Sequence, residues 1–241
     1  MKCFLTGNFT IANTNELNPE NGLAERLRAA LPAECAAVYV CSAPDDPSRT
    51  DRYARLAKKS FEAAGFVFRG FTVLDRRNQA DTAALVRQAD LLVFAGGHVP
   101  TQNRFFREIG LRQALADFQG VILGVSAGSM NCSGLVYAPP ELKGEALDPA
   151  YPKYYEGLGL TDTMLIPHYQ ILKTDVVDGL RLMEDIVYPD SAGKTFYAIV
   201  DGSYLYLDTD ARRQEICGEA FVIENGALTP LSAAGGVVPL T

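Results

Sequence analysis

The sequence predicts a three-layer α/β fold: a mostly parallel sheet with helices on both faces and an antiparallel extension near its C-terminal end. Three observations predict it. Short β-rich apolar runs alternate with longer amphipathic segments as far as Val125. Strands that alternate with helices imply parallel neighbours, with the connecting helices covering the sheet. The last third changes character. Two β runs flank Asp201-Gly202-Ser203, and another precedes Asn225-Gly226, a dipeptide that favours a tight hairpin. No linker, repeat or low-complexity stretch divides the chain, so residues 1–241 read as one domain.

Each element has its own reason. A first strand is expected over Lys2–Gly7, where an apolar run stops at glycine. Asn21–Leu31 places Leu23, Leu27 and Leu31 on one helical face. A strand over Ala36–Cys41 follows. Asp51–Ala64 then carries Tyr53, Leu56, Ala57, Ser60 and Phe61 at helical spacing. The strand Phe66–Leu74, the helix Asp81–Ala89 and the strand Leu91–Ala95 continue the alternation. Asn103–Asp117 reads as a helix with Phe106, Ile109, Gly110 and Gln113 in register, ahead of a strand at Val121–Val125. Pro139–Gly144 and Asp148–Tyr155 read as loops, because proline, glycine and charge interrupt any period. Three later strands are expected at Thr195–Val200, Tyr204–Leu207 and Glu219–Glu224.

Composition narrows the function classes. Hydrophobic residues make up 48% and charged residues 21%, with a net charge of −7. A surplus of negative charge argues against nucleic acid or an anionic membrane as a partner. No run approaches the roughly 18 apolar residues of a membrane helix, and the N-terminus turns polar too soon for a secretory signal. The five cysteines, Cys3, Cys35, Cys41, Cys132 and Cys217, are widely spaced with no C-x-x-C. They read as reduced core residues of a cytoplasmic protein rather than disulfides or a zinc site. Nothing in the pattern calls for a metal, a phosphate loop or a dinucleotide cofactor.

The most informative stretch is Gly124-Val125-Ser126-Ala127-Gly128-Ser129, which continues the apolar run Val121-Ile122-Leu123. Gly-x-Ser-x-Gly after such a run has the form of a nucleophile elbow, a sharp strand-to-helix turn that exposes the serine hydroxyl. The glycines are expected because side chains there would collide with the neighbouring strand and helix. The free N–H groups of the helix start suit an oxyanion.

A serine nucleophile needs a base, and the chain has two histidines, His98 and His168. His168 ends Leu165-Ile166-Pro167 at a strand end and is the stronger candidate, with His98 the alternative base or a substrate contact. Asp201, after Ala198-Ile199-Val200, is the leading acid to orient the base. Glu141, Glu145 and Asp148 are alternatives nearer the serine. Gly96-Gly97 closes another strand, and the N–H groups of Gly97 and Ala127 would make a two-donor oxyanion hole.

Strand-Gly-Gly, Gly-x-Ser-Ala-Gly, Pro-His and Asp-Gly-Ser, in that order from about Leu91 to Leu207, resemble the aspartyl dipeptidase (dipeptidase E) family of serine peptidases. Cyanophycinase is a relative, and the class I glutamine amidotransferases share the general fold with cysteine at the elbow. The resemblance implies a flavodoxin-like α/β protein with a Ser-His-acid triad. By motif, Ser126 matches the nucleophile, His168 the base and Asp201 the acid, with Gly97 and Ala127 as oxyanion donors.

Two departures from the family pattern bear on specificity. His98-Val99-Pro100-Thr101-Gln102-Asn103 stands where the family usually has Asn-Thr after Gly-Gly, and Ser129-Met130-Asn131 where it more often has Ala-Asn. His98, Gln102 and Asn131 are therefore expected at the substrate pocket. Arg104, Lys153, Lys173 and Arg181 are the cations considered for an acidic substrate group. The expected activity is hydrolysis of a small peptide or related amide without a cofactor, by a protein that could form a homodimer. Amidotransferase-like or acyl-transfer chemistry, or a non-catalytic ligand-binding domain, are the alternatives.

Overall fold

The first half of the chain repeats one unit, a strand followed by a helix that crosses back over the sheet. In this computed structural model, which describes residues 1–11 and 14–240, the order is β1 (Lys2–Thr6), α1 (Leu23–Ala30), β2 (Glu34–Val40), α2 (Pro47–Ala63), β3 (Val67–Leu74), α3 (Thr82–Gln88), β4 (Leu91–Phe94), α4 (Val99–Glu108), α5 (Leu111–Ala114), β5 (Val121–Val125) and the single turn α6 (Ala127–Met130). The strands pair in parallel, β1 with β5, β5 with β4, β4 with β2 and β2 with β3. Their carboxyl ends therefore share one edge, where ligands bind in sheets of this kind.

Both faces of the central strands of this sheet are buried, and alternate residues divide between them. Cys3 and Leu5 of β1, Leu92 and Phe94 of β4, and Ile122 of β5 pack with Val86, Phe105, Phe106 and Leu111 from α3, α4 and α5. Phe4, Leu91, Val93, Val121 and Leu123 point the other way, onto Leu23 and Leu27 of α1 and Ala54, Ala57 and Phe61 of α2. The period of two along each strand thus sends successive side chains to different helix layers.

Two helices start or stop where the periodicity did not place them. α2 begins at Pro47, four residues before the expected Asp51, because Asp46 caps it by accepting from the Arg49 N–H at 2.9 Å and proline fits the first turn. The helix expected over Asn103–Asp117 is two helices. It starts at Val99 with Pro100 in its first turn and breaks at Gly110, which takes φ +60° before α5.

The second half departs further from the expectation. β6 (Leu135–Tyr137) pairs with β7 (Tyr154–Glu156). Then follow β8 (Met164–Ile166), the single turn α7 (Tyr169–Leu172), a small hairpin of β9 (Val176–Val177) and β10 (Leu180–Arg181), a π-helical turn at Leu182–Val187, and α8 (Tyr188–Asp190). The remaining strands are β11 (Thr195–Ile199), β12 (Tyr204–Asp208), β13 (Arg213–Cys217), β14 (Ala220–Glu224), β15 (Ala227–Ser232) and β16 (Val237–Pro239).

The antiparallel extension exists, built from β12, β13 and β16 beside β1 in an eight-stranded sheet of order β16-β13-β12-β1-β5-β4-β2-β3. β11 and β14, however, do not join it. They belong to a separate four-stranded sheet of order β15-β14-β11-β8. Asn225 and Gly226, at φ +49° and +82°, turn β14 into β15 as the dipeptide predicts. Leu165 of β8 and Ile199 of β11 pack into the same core as Leu5 and Ile122, which fastens the second sheet to the first.

Candidate active site

Ser126 sits immediately after β5 with φ +51° and ψ −113°. A non-glycine residue held there costs about 1–3 kcal/mol, and the surroundings must enforce it. They do so through β1: the Ser126 N–H donates to the Thr6 carbonyl at 2.9 Å, and the Ser129 hydroxyl donates to the same oxygen at 2.7 Å. A Cβ on Gly128 would lie 2.3 Å from the Phe94 carbonyl oxygen, and one on Gly124 would lie 2.9 Å from Ser129 Cα. The elbow glycines are required by close approach to a neighbouring strand and to the helix, as the motif predicts.

Gly96 lies across from the serine, since a Cβ there would approach Ser126 Cβ to 3.3 Å. The Ser42 hydroxyl, at the end of β2, donates to the Gly96 carbonyl at 2.6 Å. A Cβ on Gly97 would come within 2.4 Å of the Ser42 oxygen, so this turn also demands glycine. The amides of Gly97 and Ala127 donate to no acceptor among the described residues.

His168 and Asp201 come from the second sheet. His168 follows β8 in the left-handed conformation, φ +64°, and its carbonyl accepts from Leu172 N–H at 3.0 Å. Asp201 follows β11, and its N–H donates to the Gln170 side-chain oxygen at 3.1 Å. His168 Nδ1 lies 2.7 Å from Asp201 Oδ1. A carboxylate can only accept, so Nδ1 is the nitrogen that carries a proton, and in the neutral ring Nε2 is the one with the lone pair.

Gly7, at the end of β1, lets the two sheets meet here: a Cβ would fall 2.6 Å from Asp201 Oδ1 and 3.4 Å from His168 Nδ1. Ser126 and His168 both line one cavity of about 430 Å3, together with Gly96 and Gly97. Among the described residues no hydrogen bond directly joins the Ser126 hydroxyl to the imidazole.

The other candidates that the sequence offers divide clearly. His98 accepts or donates at both ring nitrogens, to Thr101 at 2.8 Å and to Glu145 at 3.0 Å. Glu145 also accepts the N–H groups of Glu141 and Leu142, both at 2.9 Å, so it folds its own loop rather than facing His168. Asp148 accepts from Ala150 N–H at 2.9 Å. Glu141 keeps exposed surface, yet its carboxyl is pushed up to about 7, first by lost hydration and then by Glu145, with His168 opposing.

The structure does not bring Gln102 or Asn131 to the cavity. Both are fully buried. Gln102 donates to the Ala95 carbonyl at 2.7 Å, and Asn131 donates to Gln102 at 3.1 Å while accepting from Asn103 at 3.0 Å. They brace α4 against the elbow.

Three of the four cations considered for an acidic group are spoken for: Arg104 by Glu108, Lys153 by Asp190 and Arg181 by Asp185. Lys173 lines a different cavity, shared with Asp201, Glu20 and Glu219. The cation in the cavity of Ser126 is Arg49, which sequence reasoning passed over. Its signal was the Asp46-Pro47 start of α2. Setting that boundary correctly would have put Arg49 in the first turn, near the carboxyl edge of the sheet.

All five cysteines are free and buried. Burial pushes the thiols of Cys3 and Cys41 up to about 12 and that of Cys132 well above its ordinary value. None of these three offers a thiolate nucleophile. Among the described residues no group of three or more His, Cys, Asp or Glu side chains is placed to hold a metal ion. No helix among them is long and apolar enough to cross a membrane.

A three-layer α/β protein with serine on a strained strand-to-helix turn, in a cavity also lined by a histidine that contacts an aspartate, has the layout of a serine hydrolase. The family can be stated: residues 4–214 match the model of peptidase family S51, and the chain belongs to that family of serine-type peptidases. The fold is similar to the crystal structure of a protein from Listeria monocytogenes EGD-e assigned to peptidase E, with a TM-score of 0.52 and 14% identity over 100% of this chain and 98% of that one. At that identity the likeness speaks for the fold. A comparison with curated proteins finds no significant sequence match.

Proposed function

We propose that the protein hydrolyses a small peptide or related amide through an acyl-enzyme, with Ser126 as nucleophile, His168 as base and Asp201 as the residue that orients it. One observation carries this reading: the 2.7 Å contact between His168 Nδ1 and Asp201 Oδ1, in a ring that opens with Ser126 onto one cavity. The carboxylate fixes the tautomer, so Nε2 is the nitrogen free to accept the serine proton.

The Ser126 oxygen attacks the carbonyl as His168 Nε2 takes its proton. The resulting oxyanion is met by the N–H groups of Gly97 and Ala127. Imidazolium then gives the proton to the leaving amine, and the C–N bond breaks. Water enters and attacks the ester as His168 removes its proton, the C–O bond to Ser126 breaks, and the imidazolium returns the proton to the serine oxygen, leaving acid and free hydroxyl. The Asp201 carboxylate stabilises the imidazolium in both steps. The protein works as a single domain, without a metal or organic cofactor, on a soluble substrate.

A screen of dipeptides and isopeptides, run on wild type and Ser126→Ala, tests the reading. Ser126→Ala should lose on the order of 10³-fold or more in kcat. Equal turnover by the two proteins would remove Ser126 from the mechanism.

A further inference from the structure

The two amides proposed as oxyanion donors belong to two peptide units that are held by different means. In a trans peptide the carbonyl and the N–H point in opposite directions, so whatever grips the carbonyl aims the N–H. No cis peptide occurs among the described residues. In the Ser126–Ala127 unit the Ser126 carbonyl accepts from the N–H groups of Ser129 and Met130, at 2.9 and 3.1 Å. The backbone turn thus directs the Ala127 N–H away from the helix. In the Gly96–Gly97 unit the Gly96 carbonyl accepts, among the described residues, from one group, the Ser42 hydroxyl at 2.6 Å.

The chain on either side of the Gly96–Gly97 unit is tied down. The Ala95 N–H donates to the Val40 carbonyl at 3.0 Å, and the Ala95 carbonyl accepts from Gln102 at 2.7 Å. The His98 carbonyl accepts from the Gln102 N–H at 3.1 Å. Between those anchors stand two glycines, which lack the Cβ that would restrict rotation of the peptide joining them. Ser42 is well seated to supply the missing restraint. The Cys41 N–H before it donates to the Leu74 carbonyl at 3.1 Å. The Ala43 carbonyl after it accepts from the Asp46 N–H at 3.1 Å and from the hydroxyl of buried Thr50 at 3.0 Å.

We propose that Ser42 is a positioning residue for the hydrolysis: by holding the Gly96 carbonyl it turns the Gly97 N–H toward the oxyanion that forms at Ser126. This role rests on the hydrolytic reading above, in which Gly97 is an oxyanion donor. Ser42 does not line the cavity of Ser126, so it acts through the peptide and not on bound substrate. The oxyanion exists only after attack on the carbonyl. Loss of the tether should therefore weaken the transition state and leave substrate binding as it was.

The test compares Ser42→Ala, Ser42→Thr and Ser126→Ala with wild type. Rates are measured on the best substrate of the peptide screen and on p-nitrophenyl acetate, which forms an oxyanion at Ser126 without filling a peptide site. Removing a whole oxyanion donor costs about 10²–10³-fold in kcat, and freeing one to rotate should cost on the order of 10-fold. KM for the peptide should stay within about twofold. Ser42→Thr keeps the hydroxyl and should return most of the rate. Calorimetric binding of uncleaved peptide to Ser126→Ala protein should not change when Ser42→Ala is added. Ser42 is half-buried, so the variants should keep the wild-type Tm, which serves as the folding control.

The peptide unit itself can be followed by NMR. The sequence holds two Gly-Gly pairs, 96–97 and 235–236. Protein labelled with glycine carrying 13C at the carbonyl and 15N at the amide therefore gives two one-bond carbon–nitrogen correlations. Ser42→Ala should move the Gly97 signal and leave the Gly236 signal in place. Four results overturn the proposal while Ser126 keeps its role: full Ser126-dependent turnover by Ser42→Ala, equal losses in kcat and in peptide binding, Ser42→Thr as slow as Ser42→Ala, or an unmoved Gly97 signal. Turnover that is absent, or that Ser126→Ala leaves intact, removes the hydrolytic reading, and the role of Ser42 falls with it.

Discussion

The two halves of the site are built differently. The serine half stands on β1, β4 and β5, parallel strands whose carboxyl ends share one edge, so strand registry brings the turns at that edge together. Thr6 of β1 pairs with Val125 of β5, and Phe94 of β4 pairs with Gly124. The imidazole half stands on β8 and β11 of a separate sheet, and among the described residues no strand pairing joins it to the first. Its position rests on core packing and on Gly7. A sheet edge delivers strand ends to a common line, whereas two packed sheets must be matched by shape where they meet.

The largest effect should come from cutting the imidazole half internally. Asp201→Asn removes the acceptor that fixes His168 Nδ1–H. If the wrong tautomer then dominates, kcat should fall by roughly 10⁴-fold while substrate binding changes little. Steady-state kinetics on the best substrate from the screen would read it. A loss below about tenfold would mean that the His–Asp contact positions nothing the reaction needs.

Gly7→Ala attacks the seam itself. The new Cβ would come 2.6 Å from Asp201 Oδ1, so either the carboxylate or the sheets must give way. Displacing a base by about 1 Å can cost on the order of 10²-fold in rate. That loss should appear in kcat with the near-ultraviolet circular dichroism retained. Unchanged kcat would show that the second half can shift on the first without consequence.

Gly128→Ala strikes the serine half alone. The Cβ meets the Phe94 carbonyl oxygen at 2.3 Å and its carbon at 2.7 Å, backbone atoms of a buried strand that leave little room to relax. A destabilisation of about 1–3 kcal/mol is expected, read as a lower midpoint in urea. A midpoint within error of wild type would mean that β4 and the elbow are less tightly joined than the edge geometry implies.

The difference between the halves also decides what the sequence could reveal. The strands from Lys2 to Val125 were legible because both buried faces leave short apolar runs, and the elbow because its glycines answer to contacts a few ångströms away. His168 and Asp201 were legible as strand ends, but their sheet was not. Thr195–Val200 looks the same in sequence whether it extends the first sheet or pairs with β8. Arg213–Cys217 was missed because Arg213, Gln214 and Glu215 hide a strand whose buried Glu215 is held in ion pairs with Arg26 and Arg213. Gln102 and Asn131 were read as substrate contacts because they lie where the sequence departs from the family pattern, after the Gly-Gly turn and after the elbow. Here they satisfy one another inside the core, and no local signal distinguishes the two cases.

The smallest effect lies in the loop that spans the halves, and it is a pH dependence. Glu145 ties this loop to His98 of the serine half, while the Glu141 carboxyl feels His168 of the other. Lost hydration and the Glu145 charge push the Glu141 carboxyl from its ordinary 4.5 to about 7. Between those values the folded protein holds a proton that the unfolded chain has released. Stability must therefore fall as pH rises through that window. Glu141→Gln cannot titrate, so its Tm should fall less than that of wild type between pH 4.5 and 7, and the gap should close again at the acid end. Parallel Tm curves for the two proteins would mean that the carboxyl is hydrated, and that the loop leaves the seam open to water.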